Sequence, residues 1–152
     1  MKTIVISGAR SGIGKTFVAR FVRDFLPGSV RIKIGHGKAK AADDGFFYHQ
    51  GTPFGEIAAA HAQASVLVIE SNCVLNELIP DVAIYLTADN PKPSALAARQ
   101  KSDIIRGERV DESTMKRMCA NLGLAPALVR KIVWFSGARP EPVTGLVLAG
   151  GK

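Results

Sequence analysis

At 152 residues, 47% hydrophobic and 22% charged, the chain has the composition of one folded domain with a sizeable core, not of a disordered tail. A formal charge of +7 points to an anionic ligand, but the basic residues are scattered and few aromatics lie between them. That argues against a nucleic-acid platform and for a small polyanion such as a nucleotide. No apolar run approaches the roughly 20 residues of a membrane span. Met1-Lys2-Thr3-Ile4 leads straight into an apolar run and there are two cysteines, so a cytoplasmic protein without a disulfide framework is expected.

The first apolar run, Thr3-Ile4-Val5-Ile6-Ser7, reads as a strand, and Ala9-Arg10-Ser11-Gly12-Ile13-Gly14-Lys15-Thr16 follows it. This is a phosphate-binding loop of the Walker A kind, with alanine in place of the first glycine. Gly12 and Gly14 open backbone angles that let successive N–H groups face phosphate oxygens. Gly8 is expected to supply turn freedom ahead of Ala9. Lys15 suits the β- and γ-phosphates, and the Thr16 hydroxyl suits Mg²⁺, which keeps most of its waters. Arg10 reads either as solvent-exposed or as an arginine finger reaching across a homodimer.

After the loop, Phe17, Phe21 and Phe25, with Val18, Val22 and Leu26 in the adjacent row, form an amphipathic helix ended by Pro27-Gly28. Its N-terminal end would point at the same anion. Arg31-Ile32-Lys33-Ile34 reads as a second strand, broken by Gly35-His36-Gly37-Lys38. Residues 38–53 read as a long loop holding a short strand at Phe46-Phe47-Tyr48. Lys33, His36, Lys38, Asp43 and Asp44 make this a substrate loop for a second anion, a weakly specified metal site, or a solvated loop.

A helix over 55–64 precedes the apolar run Val66-Leu67-Val68-Ile69, which reads as a strand buried on both faces and ending at Glu70. A strand-end carboxylate is where the magnesium partner of a phosphate loop sits, although aspartate is the commoner choice. Further expected elements are a short helix over 74–79, a strand over 82–86, a helix over 94–100 behind Pro93, a short strand over 103–105 and a helix over 113–122 ended by Gly123. One more helical turn is expected over 127–130, then strands over 131–135 and 143–148. Strands alternating with helices predict an α/β P-loop NTPase, a mostly parallel sheet with helices on both faces. The nucleotide-binding domain is expected over 1–140, with 141–152 a terminal strand or a junction to a further domain. Asp89-Asn90-Pro91-Lys92 has the residue types of a guanine-reading Asn-Lys-x-Asp motif, but in the wrong order.

With those residues placed, the chain resembles the P-loop family of molybdopterin-guanine dinucleotide biosynthesis protein B. The resemblance rests on Ser11-Gly12-Ile13-Gly14-Lys15-Thr16, on Ile32-Lys33 followed by His36, and on Val66-Leu67-Val68-Ile69-Glu70. The segment 144–152, Thr-Gly-Leu-Val-Leu-Ala-Gly-Gly-Lys, is similar to the opening of the molybdenum cofactor guanylyltransferase family. The resemblances imply Mg²⁺-dependent GTP binding, slow hydrolysis, and a helper role beside a guanylyltransferase that acts on molybdopterin. From the residues alone, ATP remains open, as do a small-molecule kinase and a nucleotide-switched adaptor.

Overall fold

The computed structural model describes residues 1–37 and 44–144. Six strands form one sheet: β1 (Lys2–Gly8), β2 (Ser29–Gly35), β3 (Phe46–His49), β4 (Val66–Glu70), β5 (Val82–Leu86) and β6 (Ile104–Ile105). They stand in the order β3-β2-β4-β1-β5-β6, and every pair is parallel. A parallel pair needs a crossover, and these crossovers place helices on both faces of the sheet.

Alternation along the strands sends side chains into two cores. Ile4, Ile6, Val68, Val82 and Ile84 pack under α1 (Lys15–Phe25), α4 (Glu112–Leu122) and α5 (Pro126–Phe135). Val5, Ile32, Leu67, Ile69 and Tyr85 face α2 (Phe54–Ala60), a 3-10 turn at Cys73–Asn76, and α3 (Pro93–Gln100). A separate pair of two-residue strands, β7 (Arg109–Val110) and β8 (Arg139–Pro140), is also parallel. No single helix among the described residues is long and apolar enough to cross a membrane. The bent pair α4 and α5 buries Met115, Met118, Val129, Ile132 and Val133.

Three expected elements differ. Residues 131–135 belong to α5, not to a strand: Pro126 fills the first turn, and Val129, Ile132 and Val133 recur at helical spacing toward the core. The helix expected over 74–79 is a single 3-10 turn, with Pro80 close behind. Of the final strand over 143–148, Val143 and Thr144 carry no strand assignment and the rest lies outside the described residues. Ser136-Gly137-Ala138-Arg139, the same four residues as Ser7-Gly8-Ala9-Arg10 at the end of β1, therefore follows a helix.

Within α1 the buried side is Val18, Ala19 and Val22. The phenylalanine row sits at its margin: Phe17 is 68% exposed, and Phe21 stacks on Phe135 of α5 at 3.5 Å between ring centres.

Candidate functional site

All the parallel strands point their carboxyl ends the same way, and the crevice outside those ends is where open α/β sheets bind ligands. The loop between β1 and α1 lies there. Gly12 and Gly14 adopt φ +74° and +101°, left-handed angles that a side chain resists. Gly8 is not in that region. Its need for glycine is steric: a Cβ there would meet Ile13 Cδ1 at 2.5 Å and the Leu86 carbonyl at 3.3 Å. The expected turn freedom at Gly8 is thus a close approach instead.

Ala9 is fully buried within the core that faces α3, where its methyl finds partners a glycine would lack. Its N–H donates to Leu86 O at 3.0 Å, and its carbonyl accepts the Lys92 N–H at 2.8 Å. Asn72 grips the strand end next to it: its Oδ1 accepts the Gly8 N–H and its Nδ2 donates to the Gly8 carbonyl, both at 2.9 Å.

Lys15 Nζ donates to the Arg10 carbonyl at 2.9 Å, closing the loop on itself. Burial pushes its ammonium below the usual lysine range; Glu70 acts in the opposite sense, while the positive charges of Lys33 and Lys92 add to the lowering. The Arg10 side chain and Ser11 are exposed, and Ile13 packs against both cores.

Thr16 Oγ1 donates to Glu70 Oε1 at 2.7 Å, joining residues 54 positions apart. Glu70 is 2% exposed, and its other oxygen, Oε2, accepts from Arg31 Nη1 at 2.6 Å. Arg31 is itself buried on the α1 side of β2. Its Nη2 donates to Asp44 Oδ1 at 2.9 Å. Gly45 lets the chain pass over this guanidinium, since a Cβ there would lie 2.8 Å from Cζ.

A cleft of about 800 Å³ opens between these groups. Ser11, Gly12, Gly14, Lys15 and Thr16 line one side, with Glu70, Ser71, Asn72 and Cys73 at its floor. Lys33, Ile34, Gly35 and His36 enter from the end of β2, Gln50 from beyond β3, and Lys92 and Ser94 from the start of α3. No family model, curated protein or solved structure matches the chain.

The structure thus brings Ser11, Gly12, Gly14, Lys15 and Thr16 of the expected loop to one cleft with Glu70, Lys33 and His36, while Ala9, Arg10 and Ile13 do not line it. Lys38 and Asp43 lie outside the described residues. The metal alternative at the polar loop gains nothing: Asp44 is held by Arg20, Arg23 and Arg31, and no three His, Cys, Asp or Glu side chains gather among the described residues.

Arg31, Gln50, Asn72, Lys92 and Ser94 join the site without a sequence motif. Arg106 does too: its Nη2 donates to the Ile13 carbonyl at 3.0 Å, from the turn after β6. Two had a hint: Lys92 as the basic end of the misordered Asp-Asn-Pro-Lys segment, and Asn72 as a polar residue just after the strand-end Glu70.

Proposed function

We propose that this chain is a P-loop nucleotide-binding protein that binds GTP with Mg²⁺, hydrolyses it slowly, and assists attachment of a nucleotide to molybdopterin beside a guanylyltransferase. The observation that carries the nucleotide reading is the Thr16–Glu70 hydrogen bond beside Lys15. A threonine whose single proton goes to a buried carboxylate keeps its oxygen lone pairs for a hard cation. Thr16 and Glu70 therefore fit Mg²⁺. Both Glu70 oxygens already accept hydrogen bonds, so Glu70 orients Thr16 and would act on the ion as a hydrogen-bond acceptor for its water rather than as a direct ligand. When bound, the ion neutralises charge on the phosphate oxygens.

The chain's own residues supply the rest. Gly12 and Gly14 shape the loop around the phosphates. Lys15 exchanges the Arg10 carbonyl for phosphate oxygens, whose negative charge opposes the lowering that burial imposes on its ammonium. The guanine preference and the molybdopterin role rest on the family resemblance, carried by the loop, Lys33, His36 and the strand ending at Glu70.

Calorimetry with GTP and ATP, with and without Mg²⁺ and molybdopterin, tests this directly. Binding should need Mg²⁺, favour GTP, and weaken by more than about tenfold, or 1.4 kcal/mol, in Lys15→Ala. Absence of nucleotide binding by the intact protein would refute the reading. A second reading, a small-molecule kinase, is favoured by the extension of the cleft to Gln50 beyond the phosphate loop. Appearance of γ-phosphate label in a metabolite, rather than in free phosphate, would select it.

A further inference from the structure

The cleft is longer than its phosphate loop. In the sheet order β3-β2-β4-β1-β5-β6, the loop follows β1, whereas His36 follows β2 and Gln50 follows β3. At about 4.8 Å per strand step, those ends stand roughly 10 and 14 Å from the end of β1. The volume of about 800 Å³ is that of a whole small-molecule site.

The chemistry of the far part differs from that of the loop. Lys33, His36 and Gln50 enter from one side, and Lys92 and Ser94 from the other. Two ammonium groups, an imidazole, an amide and a hydroxyl face the same space. The carboxylate among the described lining residues, Glu70, is already matched by Arg31 and Thr16. Among the described lining residues, positive charge is therefore in excess. The basicity of Lys15 is lowered first by burial, and the charges of Lys33 and Lys92 act in the same direction.

Both sides have anchored backbones. The Lys92 N–H is tied to Ala9 O at 2.8 Å, and the Gln50 N–H to Gly35 O at 3.0 Å. Ser94 lies in the first turn of α3, where the helix dipole favours an anion. Side chains that repel one another are thus held around a space by backbone bonds, which is the arrangement an anion relieves.

The geometry points to a second anion subsite, formed by Lys33, His36, Gln50, Lys92 and Ser94, that holds the phosphate of a phosphomonoester while a nucleotide occupies the loop. The proposal rests on the nucleotide reading for the identity of its neighbour, and goes beyond it in naming a co-ligand and the residues that take it. A monoester dianion matches two ammonium groups, and the neutral donors suit its remaining oxygens. The length of the cleft leaves space for the organic part beyond the loop.

The test follows the His36 ring signals by NMR in protein saturated with Mg²⁺ and GDP, while inorganic phosphate or phenyl phosphate is added. Both should shift His36 in a saturable way, phenyl phosphate at the lower concentration. Lys33→Met with Lys92→Met should weaken that binding tenfold or more, and by a larger factor than it weakens GDP. Loss of the shift once GDP is present would overturn the subsite, because a single phosphate site would explain it. So would a double variant that weakens GTP much more than GDP, since the lysines would then serve the γ-phosphate. Phenyl phosphate binding no better than inorganic phosphate would reject the monoester. If the protein binds no nucleotide, the earlier reading fails by itself. Phosphate added to nucleotide-free Lys15→Ala protein then still decides the subsite: a shift that depends on Lys33 and Lys92 supports it, and no shift rejects it.

Discussion

Among the described residues, Arg31 holds two carboxylates in opposite surroundings. The Glu70 side chain is 1% exposed and that of Asp44 is 49% exposed, although Arg31 reaches both with hydrogen bonds under 3 Å. Asp44 gathers three arginines, Arg20, Arg23 and Arg31, whereas Glu70 has one. Counting ion pairs would rank Asp44 higher. Solvent reverses the ranking: water and salt screen the Asp44 cluster, while the Arg31–Glu70 pair sits where neither charge has water to fall back on. The buried pair also reaches the candidate site, because Glu70 accepts a hydrogen bond from the Thr16 hydroxyl. The exposed cluster instead ties the segment around Asp44 to α1 and β2.

The largest effect should come from Arg31→Met, which leaves Glu70 buried without its counter-charge. We expect urea denaturation to show a loss of about 3–5 kcal/mol, a large part of the stability of a small domain. Adding Glu70→Leu should recover most of that loss, because an apolar pair of similar volume can replace a buried ion pair. If Arg31→Met costs no more than a change at Asp44, the contrast between the two carboxylates is wrong.

Thr16→Val should come next. It keeps the shape of the side chain and removes the proton donor, so Glu70 Oε1 loses a partner, at a cost of about 1–3 kcal/mol. The same variant should bind nucleotide with little response to Mg²⁺, measured by calorimetry at two magnesium concentrations. A full magnesium response in Thr16→Val would separate the buried network from the ion.

The contrast also explains what could be read from the sequence. The loop between β1 and α1 is contiguous, so its glycines, lysine and threonine declare themselves at fixed spacing. Glu70 was legible because an apolar run ended on it. Arg31 was not: it reads as one more basic residue in an alternating strand, and its partner lies 39 positions away. Gln50, Lys92 and Ser94 face one cleft only because the sheet order brings the ends of β3 and β5 to the same edge. The strand expected over 131–135 failed for a local reason. Five residues that are mostly apolar look alike in a strand and on a helix, and the deciding signals, Pro126 and the spacing of Val129 and Ile132, lay upstream.

The smallest effect should come from Asp44→Asn. The arginines beside Asp44, Arg23 first and then Arg31, hold its carboxyl well below the usual carboxylate range. A depressed folded pKa means that the unfolded chain binds the proton more readily, so the contribution of this carboxylate is present above about pH 3.9 and declines as pH falls below it. The stability difference between the natural protein and Asp44→Asn should therefore be small and constant from pH 7 to about pH 5, and should shrink below about pH 4. Because the cluster is exposed, raising the salt from 0.01 to 1 M should shrink it as well, as the screening length falls from roughly 30 to 3 Å. Thermal melts of the two proteins across that pH and salt grid measure both dependences. A difference that survives high salt would mean that Asp44 is shielded from water as Glu70 is, and the two ends of Arg31 would then be alike.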